Sequence, residues 1–354
     1  MNSTENGLSC EFEFSNEPRE DFSAFETRKK MDEALDWFLS KSSFETEYPI
    51  IINGEEFRFM DGSFLSFDPA IRGLPIGRVY TANSSIVAYA CKMAEKNYYE
   101  NFGRPVEERI VVVGNILRLM REEKYRLAAI MVFESSKSQE GALAEVEEAI
   151  DFAEMYSQHA TEILKSVFFQ PSLKTESNVL HKVPRGPTVV ISPWNFPLSL
   201  LFGRFIDSYL AGCPVLAKPA EQSSIIAWYV VDMMLRAGMD KGAIAFLPGY
   251  GDIGEKLVMN PSVANICFTG SRAVGFLVTR TAASFPGNFG QKRVDLELGG
   301  INSIIVTPSA DPDESIKGVI SSKFGQQGQK CSALQRLFLV GDRELWQDWL
   351  LRLS

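Results

Sequence analysis

From about residue 187 onward, short apolar stretches alternate with amphipathic ones. Thr188-Val-Val-Ile-Ser192, Pro214-Val-Leu-Ala-Lys218, Ala243-Ile-Ala-Phe-Leu247 and Ala264-Asn-Ile-Cys-Phe-Thr269 each read as a buried strand. Between and after them lie helical stretches near 198–211 and 222–237, a short helix after Gly251 and a helix from Ser271. Strands that are apolar throughout, joined by helices, predict an α/β fold with a parallel sheet covered on both faces. Upstream, Ser23-Ala-Phe-Glu26 has the form of a capping box, and Phe25, Leu35, Phe38 and Leu39 follow at near-helical spacing. Tyr48-Pro-Ile-Ile-Ile-Asn-Gly-Glu55 predicts a strand and a turn, and helices are expected at 84–101, 105–134 and 141–166, the first capped by Ser84. Residues 1–22 read as a mobile arm, and the polar stretch 168–186, with Pro171, Pro184 and Gly186, as a protruding ribbon. Strands near 292–298 and 302–307, then a helix near 312–327, are expected to begin a second unit.

Composition narrows the partners. The 354 residues are 45% hydrophobic and 23% charged, with a net charge of −9. That balance disfavours nucleic acid or an anionic membrane as the main partner. The five cysteines, Cys10, Cys91, Cys213, Cys267 and Cys331, are odd in number and form no C-x-x-C pair. With only His159 and His181 beside them, they predict neither a disulfide scaffold nor a metal site. Met1 to Glu20 is polar and acidic, unlike a secretory signal, and the apolar stretch Ile191 to Ala217 is interrupted by Arg204, Asp207 and three prolines. A reducing, cytoplasmic setting is expected.

Three polar loops are expected at one edge of the sheet: Pro193-Trp-Asn-Phe-Pro197, Lys218-Pro-Ala-Glu221 and Thr269-Gly-Ser-Arg-Ala-Val-Gly275. The last opens a helix whose free N–H groups could hold a pyrophosphate, although the G-x-G-x-x-G fingerprint is absent. Glu297 lies in an apolar strand before Gly299-Gly300, where an unpaired carboxylate is costly; it is either a paired structural acid or a base. Asn195 is either a turn residue or a side-chain donor. Cys331 follows Gly325-Gln-Gln-Gly-Gln, whereas Cys91, Cys213 and Cys267 fall in helix or strand patterns as small hydrophobes.

These motifs, Pro193-Trp-Asn-Phe-Pro197, Lys218-Pro-Ala-Glu221, Phe268-Thr-Gly-Ser271, Leu296-Glu-Leu-Gly-Gly300 and Gly328-Gln-Lys-Cys-Ser332, occur in the order found in the aldehyde dehydrogenases. The chain resembles that family from about Tyr48 onward, and Cys331 follows Glu297 by 34 residues, similar to the family's base-to-nucleophile spacing. The resemblance implies an α/β aldehyde dehydrogenase-like fold: a Rossmann-type, parallel-sheet NAD-binding domain (48–167 and 187–295) and an incomplete α/β catalytic domain (296–354). An N-terminal arm and helix (1–47) and an oligomerisation ribbon (168–186) complete it. It implies Cys331 as nucleophile, Glu297 as general base and Asn195 as oxyanion donor. It places NAD against Ile191, Ser192, Pro193, Trp194, Lys218, Glu221, Gly251, Gly270, Ser271 and Gly275, with Lys218 and Glu221 on the adenosine ribose. The carboxylate of Glu221 would repel a 2′-phosphate and so favour NAD over NADP.

Asn16-Glu-Pro18, Tyr48-Pro-Ile-Ile-Ile-Asn-Gly54, Lys292-Arg-Val294 and Gln329-Lys-Cys-Ser-Ala333 are similar to the members that oxidise glutamate γ-semialdehyde in proline breakdown. Ser332 and Lys330, on either side of the nucleophile, are the candidate substrate contacts, and the charge of Lys330 would also lower the thiol pKa if it lay close. Another semialdehyde, such as succinate semialdehyde, is the alternative substrate. Family members are homo-oligomers and longer than this chain. The rest of the catalytic unit, an anchor loop for the substrate carboxylate and a late oligomerisation strand are therefore expected beyond it. Trp346, Trp349 and Leu350 and the helix at 312–327 are expected to expose apolar faces. The alternative function is an NAD-binding fragment or partner subunit without turnover.

Overall fold

The computed structural model describes residues 14–59, 62–165, 168–170, 173 and 175–353. Seven strands form its central sheet, in the spatial order Arg293–Leu298, Asn265–Gly270, Thr188–Ile191, Val215–Lys218, Ile244–Phe246, Ile50–Ile52, Glu55–Phe57. The first five run parallel and the last two are antiparallel. The parallel part begins in the middle, at Thr188–Ile191, and steps outward through Val215–Lys218 to Ile244–Phe246. It then returns across the start to Asn265–Gly270 and steps the other way. Strand order reverses between Thr188–Ile191 and Asn265–Gly270, and ligands of open α/β sheets bind at such a reversal, beyond the carboxyl ends of the strands.

Helices cover both faces. On one face, Ser199–Leu210 and Ser224–Arg236 pack with Phe25–Lys41, Val106–Glu122, Lys124–Ser135 and Gln139–Lys165 around Phe202, Phe205, Ile225 and Met131. On the other, Ser84–Asn101, Gly251–Met259 and Arg272–Ser284 pack around Ile86, Cys91, Leu257 and Val278. The antiparallel edge turns at Asn53 (φ 53°) and Gly54 (φ 74°), two successive left-handed residues that fit a two-residue hairpin.

Several expectations need correction. The helix predicted over 105–134 is two, broken at Glu123, where ψ is 11°. Its neighbour Ser84–Asn101 is capped by Asn83, whose side chain accepts from the Ile86 N–H, and not by Ser84. Ser23 caps no helix: its hydroxyl donates to Asp21, and Phe25–Lys41 starts without a side-chain cap. Of the arm predicted to be mobile, residues 1–13 lie outside the described residues. Residues 14–22 are tied down by Asn16 on Asp151 (2.7 Å), Glu17 on Arg121 (2.8 Å) and Glu20 on Lys124 (3.1 Å). The ribbon does contain a two-stranded antiparallel pair, Phe168–Gln170 with Asn178–Leu180.

The strand expected to open a second unit, Arg293–Leu298, instead pairs in parallel with Asn265–Gly270 and closes the first sheet. Only after Gly299-Gly300 does a separate parallel pair follow, Asn302–Val306 with Leu334–Leu339. Trp346 and Trp349, expected on the surface, are 7% and 3% exposed and close a small core with Val306, Ile316, Val319 and Leu334. Leu350, Ile320 and Phe324 do remain exposed.

Glu134, at the end of Lys124–Ser135, shows how helices on one face are tied to each other. It is buried, and its two oxygens accept from the N–H groups of Ile225 (2.7 Å) and Ile226 (2.9 Å), in the first turn of Ser224–Arg236. Those amides have no partner within the helix. Burial pushes the carboxyl up to about 8 from the ordinary 4.5, against the two N–H groups and the Ser66 hydroxyl. The folded chain therefore holds this proton more tightly than the unfolded chain. Its contribution to stability is whole below about pH 4.5 and is lost as pH rises through about 8. The thermal midpoint is expected to decline across that window, and Glu134→Gln to flatten the decline; an unchanged slope in the variant would assign it to other groups.

Candidate active site

Beyond the strand ends at the reversal lies a cavity of about 360 Å³. Ile191, Ser192, Pro193 and Trp194 line it from the first loop, Lys218 and Glu221 from the second, Gly251 from the start of a helix, and Gly270 and Ser271 from the fourth strand and its cap. Nine of the ten expected cofactor residues thus share one wall. Gly275 does not line it. It sits on the inner side of Arg272–Ser284, where a Cβ would stand 2.6 Å from Leu298 Cδ2, so its missing side chain lets that helix approach the strand bearing Glu297.

The wall carries one buried cation, Lys218, against the carboxylates of Glu221 and Glu255. Lys218 is 5% exposed, and its ammonium donates to the Pro219 carbonyl at 2.9 Å. Burial pulls it below its ordinary pKa, against the fields of Glu221 and Asp252. The Lys218–Glu221 ion pair is not formed; Glu221 accepts from Gln222 at 3.0 Å. The Ser192 hydroxyl is buried without a hydrogen-bond partner among the described residues. Ser271 caps its helix through the Val274 N–H, whereas Gly251–Met259 begins without a side-chain cap.

A second cleft, of about 670 Å³, adjoins the first at Trp194 and Glu221 and runs to Gln327 and Gln329, in the loop before Cys331. That loop passes through two left-handed non-glycine residues, Gln326 (φ 54°) and Gln327 (φ 53°), a strain of about 1 kcal/mol each. Asn302 holds its far end by donating to the carbonyls of Cys331 and Ala333. Cys331 itself is exposed, whereas Cys91, Cys213 and Cys267 are buried; Cys10 lies outside the described residues. Burial pushes the Cys91 and Cys267 thiols up to about 12.

Asn195 and the cysteine loop are brought together: Asn195 Nδ2 donates to the Gln329 carbonyl at 2.6 Å, two residues before Cys331. Asn195 Oδ1 accepts from the Phe196 N–H at 3.1 Å, which fixes the amide plane. Glu297 is not brought into hydrogen-bonding contact with Cys331. The expectation of a buried carboxylate also fails: its side chain is 61% exposed, and Oε1 lies 3.1 Å from Arg204 Nη2. Arg204 also pairs with Asp207, at 3.4 Å. Lys330 points away from the thiol, its ammonium on the Ser321 carbonyl at 3.4 Å, while Ser332 is exposed beside Cys331.

Sequence reasoning missed what holds the Asn195 loop. Glu145, two turns into Gln139–Lys165, is fully buried and accepts with Oε1 from the N–H groups of Leu198 (2.9 Å) and Ser199 (3.1 Å). Its Oε2 lies 2.8 Å from Lys137 Nζ, and the Lys137 ammonium lies 3.9 Å from the centre of the Phe196 ring. The one available signal was a pair of opposite charges amid apolar helix ends, in Glu134-Ser-Ser-Lys137 and Ala144-Glu-Val146.

A Rossmann-like sheet with a cavity at its reversal, joined by an asparagine to a loop bearing an exposed cysteine, is the arrangement of the aldehyde dehydrogenases. The sequence profile of the aldehyde dehydrogenase family matches residues 60–352, and the chain belongs to that family. It is 34% identical over 331 residues to the 1-pyrroline-5-carboxylate dehydrogenase of Geobacillus sp. (strain WCH70), covering 93% of this chain and 64% of that protein. The Thermus 1-pyrroline-5-carboxylate dehydrogenase with bound NAD superposes with a TM-score of 0.91 at 34% identity, covering 96% of this chain and 65% of that one. Proline utilization A from Bdellovibrio bacteriovorus matches with a TM-score of 0.90 at 35% identity, covering 96% of this chain and 35% of that one. The chain therefore spans about two thirds of the length of the dehydrogenases it matches. Among the described residues no helix is long and apolar enough to cross a membrane.

Iodoacetamide applied to the native protein should modify Cys331 while sparing Cys91, Cys213 and Cys267, read by peptide mass spectrometry. Modification of any of those three before Cys331 would contradict the placement of the loop.

Proposed function

We propose that this chain carries the NAD-binding part and the nucleophile of an aldehyde dehydrogenase that oxidises L-glutamate γ-semialdehyde, the open form of 1-pyrroline-5-carboxylate, to L-glutamate. The observation that carries the reading is the 2.6 Å bond from Asn195 to Gln329, because it sets the nucleophile loop beside the cavity at the sheet reversal. The names of the relatives support the substrate, and the NAD bound by the Thermus relative supports the cofactor. In this reading the seven-stranded sheet and its helices are the NAD-binding domain, and 168–186 is an oligomerisation ribbon. The part after Gly299-Gly300 begins the catalytic domain.

The residues on the cavity wall fit a dinucleotide. The buried Lys218 ammonium has a single carbonyl partner, the Ser192 hydroxyl is unpaired, and an uncapped helix begins at Gly251. Lys218 and Glu221 would hold the ribose hydroxyls, and Ser271 and Gly270 the pyrophosphate. NAD, when bound, supplies the hydride acceptor.

The chain's own residues supply the rest. The Cys331 sulfur, as the thiolate that the last step regenerates, adds to the aldehyde carbon, and the carbonyl oxygen takes over the negative charge. An amide NH₂ has two donors. One N–H of Asn195 stays on Gln329, and the other, with the backbone N–H of Cys331, donates to that oxygen. Loss of hydride from the carbon leaves a thioester on Cys331. Glu297 leaves Arg204 and takes a proton from water, which attacks the thioester and frees the thiolate and the acid. Ser332 would donate to the substrate's carboxylate.

Single-turnover reduction of NAD by glutamate semialdehyde, followed by NADH absorbance, tests this. Cys331→Ala is expected to abolish the signal. Asn195→Ala should slow it about a hundredfold, the usual loss of one oxyanion donor. Glu297→Gln should release NADH once and leave an acyl group on Cys331, seen by intact mass. NADH formation by Cys331→Ala would refute the nucleophile. NAD binding without any turnover by the wild-type chain would favour a non-catalytic dinucleotide-binding unit. NADP is expected to bind more weakly than NAD, and Glu221→Gln to narrow the gap.

A further inference from the structure

Lys137 and Glu145 form an ion pair whose side chains are 1% and 0% exposed; neither residue lines either cleft, although Ser136 beside Lys137 lines the second. Two charges in a dry interior are seldom more stabilising than apolar groups of the same size. The pair must be understood by what it touches. Glu145 Oε1 takes the two amides at the start of Ser199–Leu210, only three and four residues after Asn195. Pro197, between them and Phe196, has no N–H to give. Lys137 pairs with Glu145 Oε2 at 2.8 Å, and its ammonium lies 3.9 Å from the centre of the Phe196 ring in the same loop. Phe196 in turn gives its N–H to Asn195 Oδ1. The loop is thus gripped at both ends of its chain-reversing segment, and the amide of Asn195 is left one orientation, with its NH₂ toward Gln329.

We infer that Lys137 and Glu145 are positioning residues for the oxyanion donor: the buried pair holds the Asn195 loop so that the amide faces the carbonyl attacked by Cys331. The inference rests on the role proposed for Asn195. It assigns the pair no contact with substrate or cofactor. Because one carboxylate oxygen serves the helix amides and the other the ammonium, loss of the acceptor frees the loop, whereas loss of the charge alone does not.

The experiment has two arms. In the first, hydrogen exchange is followed in peptides spanning 192–204 of the full chain. Lys137→Met with Glu145→Leu removes both charges and the acceptor at similar volume. Exchange at Phe196, Leu198 and Ser199 is expected to speed about tenfold or more, with Ser84–Asn101 unchanged. Lys137→Met with Glu145→Gln keeps a neutral acceptor and should restore most of the protection. If the methionine–leucine variant does not fold, Glu145→Asp replaces it, because it keeps both charges but withdraws the carboxylate by one methylene. Exchange as slow as in the wild type, in whichever variant folds, overturns the inference.

The second arm measures single-turnover NADH release. The loosened variant should lose about a hundredfold in rate with an unchanged KM for the aldehyde. Added to Asn195→Ala, it should cause no further loss. Rate losses that multiply would mean that the pair acts elsewhere than through Asn195, and would overturn the catalytic part. A wild-type chain that releases no NADH while the variant's exchange still speeds would remove the functional reading and leave the pair as the holder of the loop.

Discussion

Buried carboxylates on helix amides are the constraint on which the site depends. A helix that follows a parallel strand begins with N–H groups that its own turns cannot satisfy. On one face of this sheet the protein answers them itself: Glu145 takes the first amides of Ser199–Leu210, and Glu134 those of Ser224–Arg236. Both acids come from a single helical hairpin, Lys124–Ser135 and Gln139–Lys165, so one element sets the angle of two crossover helices. On the other face, Gly251–Met259 has no such partner, and Arg272–Ser284 is capped only by its own Ser271. The cavity opens on that second face. The fold thus divides its helix starts into those met by its own buried carboxyl groups and those left facing a space suited to a foreign anion.

The same division explains what could be read from the sequence. Strands buried on both faces are apolar throughout, so Thr188–Ile191, Val215–Lys218, Ile244–Phe246 and Asn265–Gly270 were visible as blocks, and the loops after them followed. The tenth expected cofactor residue, Gly275, carries a glycine for a packing reason that composition cannot distinguish from a binding one. Glu123 interrupts a helix at a position where its neighbours still keep helical spacing. Arg293–Leu298 has a mixed pattern because it is the edge of the sheet, and an edge strand reads like the start of something new.

Long-range polar partnerships left no trace in periodicity. Lys137 and Glu145 are eight residues apart, one in a turn and one inside a helix, and neither spacing nor propensity brings them together. Only the requirement that a buried charge be paired would have flagged them, and that needs burial to be known first. Trp346 and Trp349 are the apolar counterpart. Their core exists only once Asn302–Val306 and Leu334–Leu339 are paired across some thirty intervening residues.

The three side chains proposed for chemistry are held with different stiffness, and the differences follow from their partners. Asn195 is fixed on both its oxygen and its nitrogen and stands on a loop gripped by a buried ion pair. Cys331 ends a loop that stores backbone strain at Gln326 and Gln327 and is pinned by Asn302. Among the described residues Glu297 has only Arg204, across a pair that is 61% exposed on the acid's side. An ion pair so open to solvent contributes little, about 0–1 kcal/mol, and exchanges easily. A group that polarises an oxyanion must not move while charge develops, whereas one that serves first as bystander and then as base for water must move. The rigid asparagine and the loosely tethered glutamate are suited to those two demands, with Arg204 as the carboxylate's exchangeable partner.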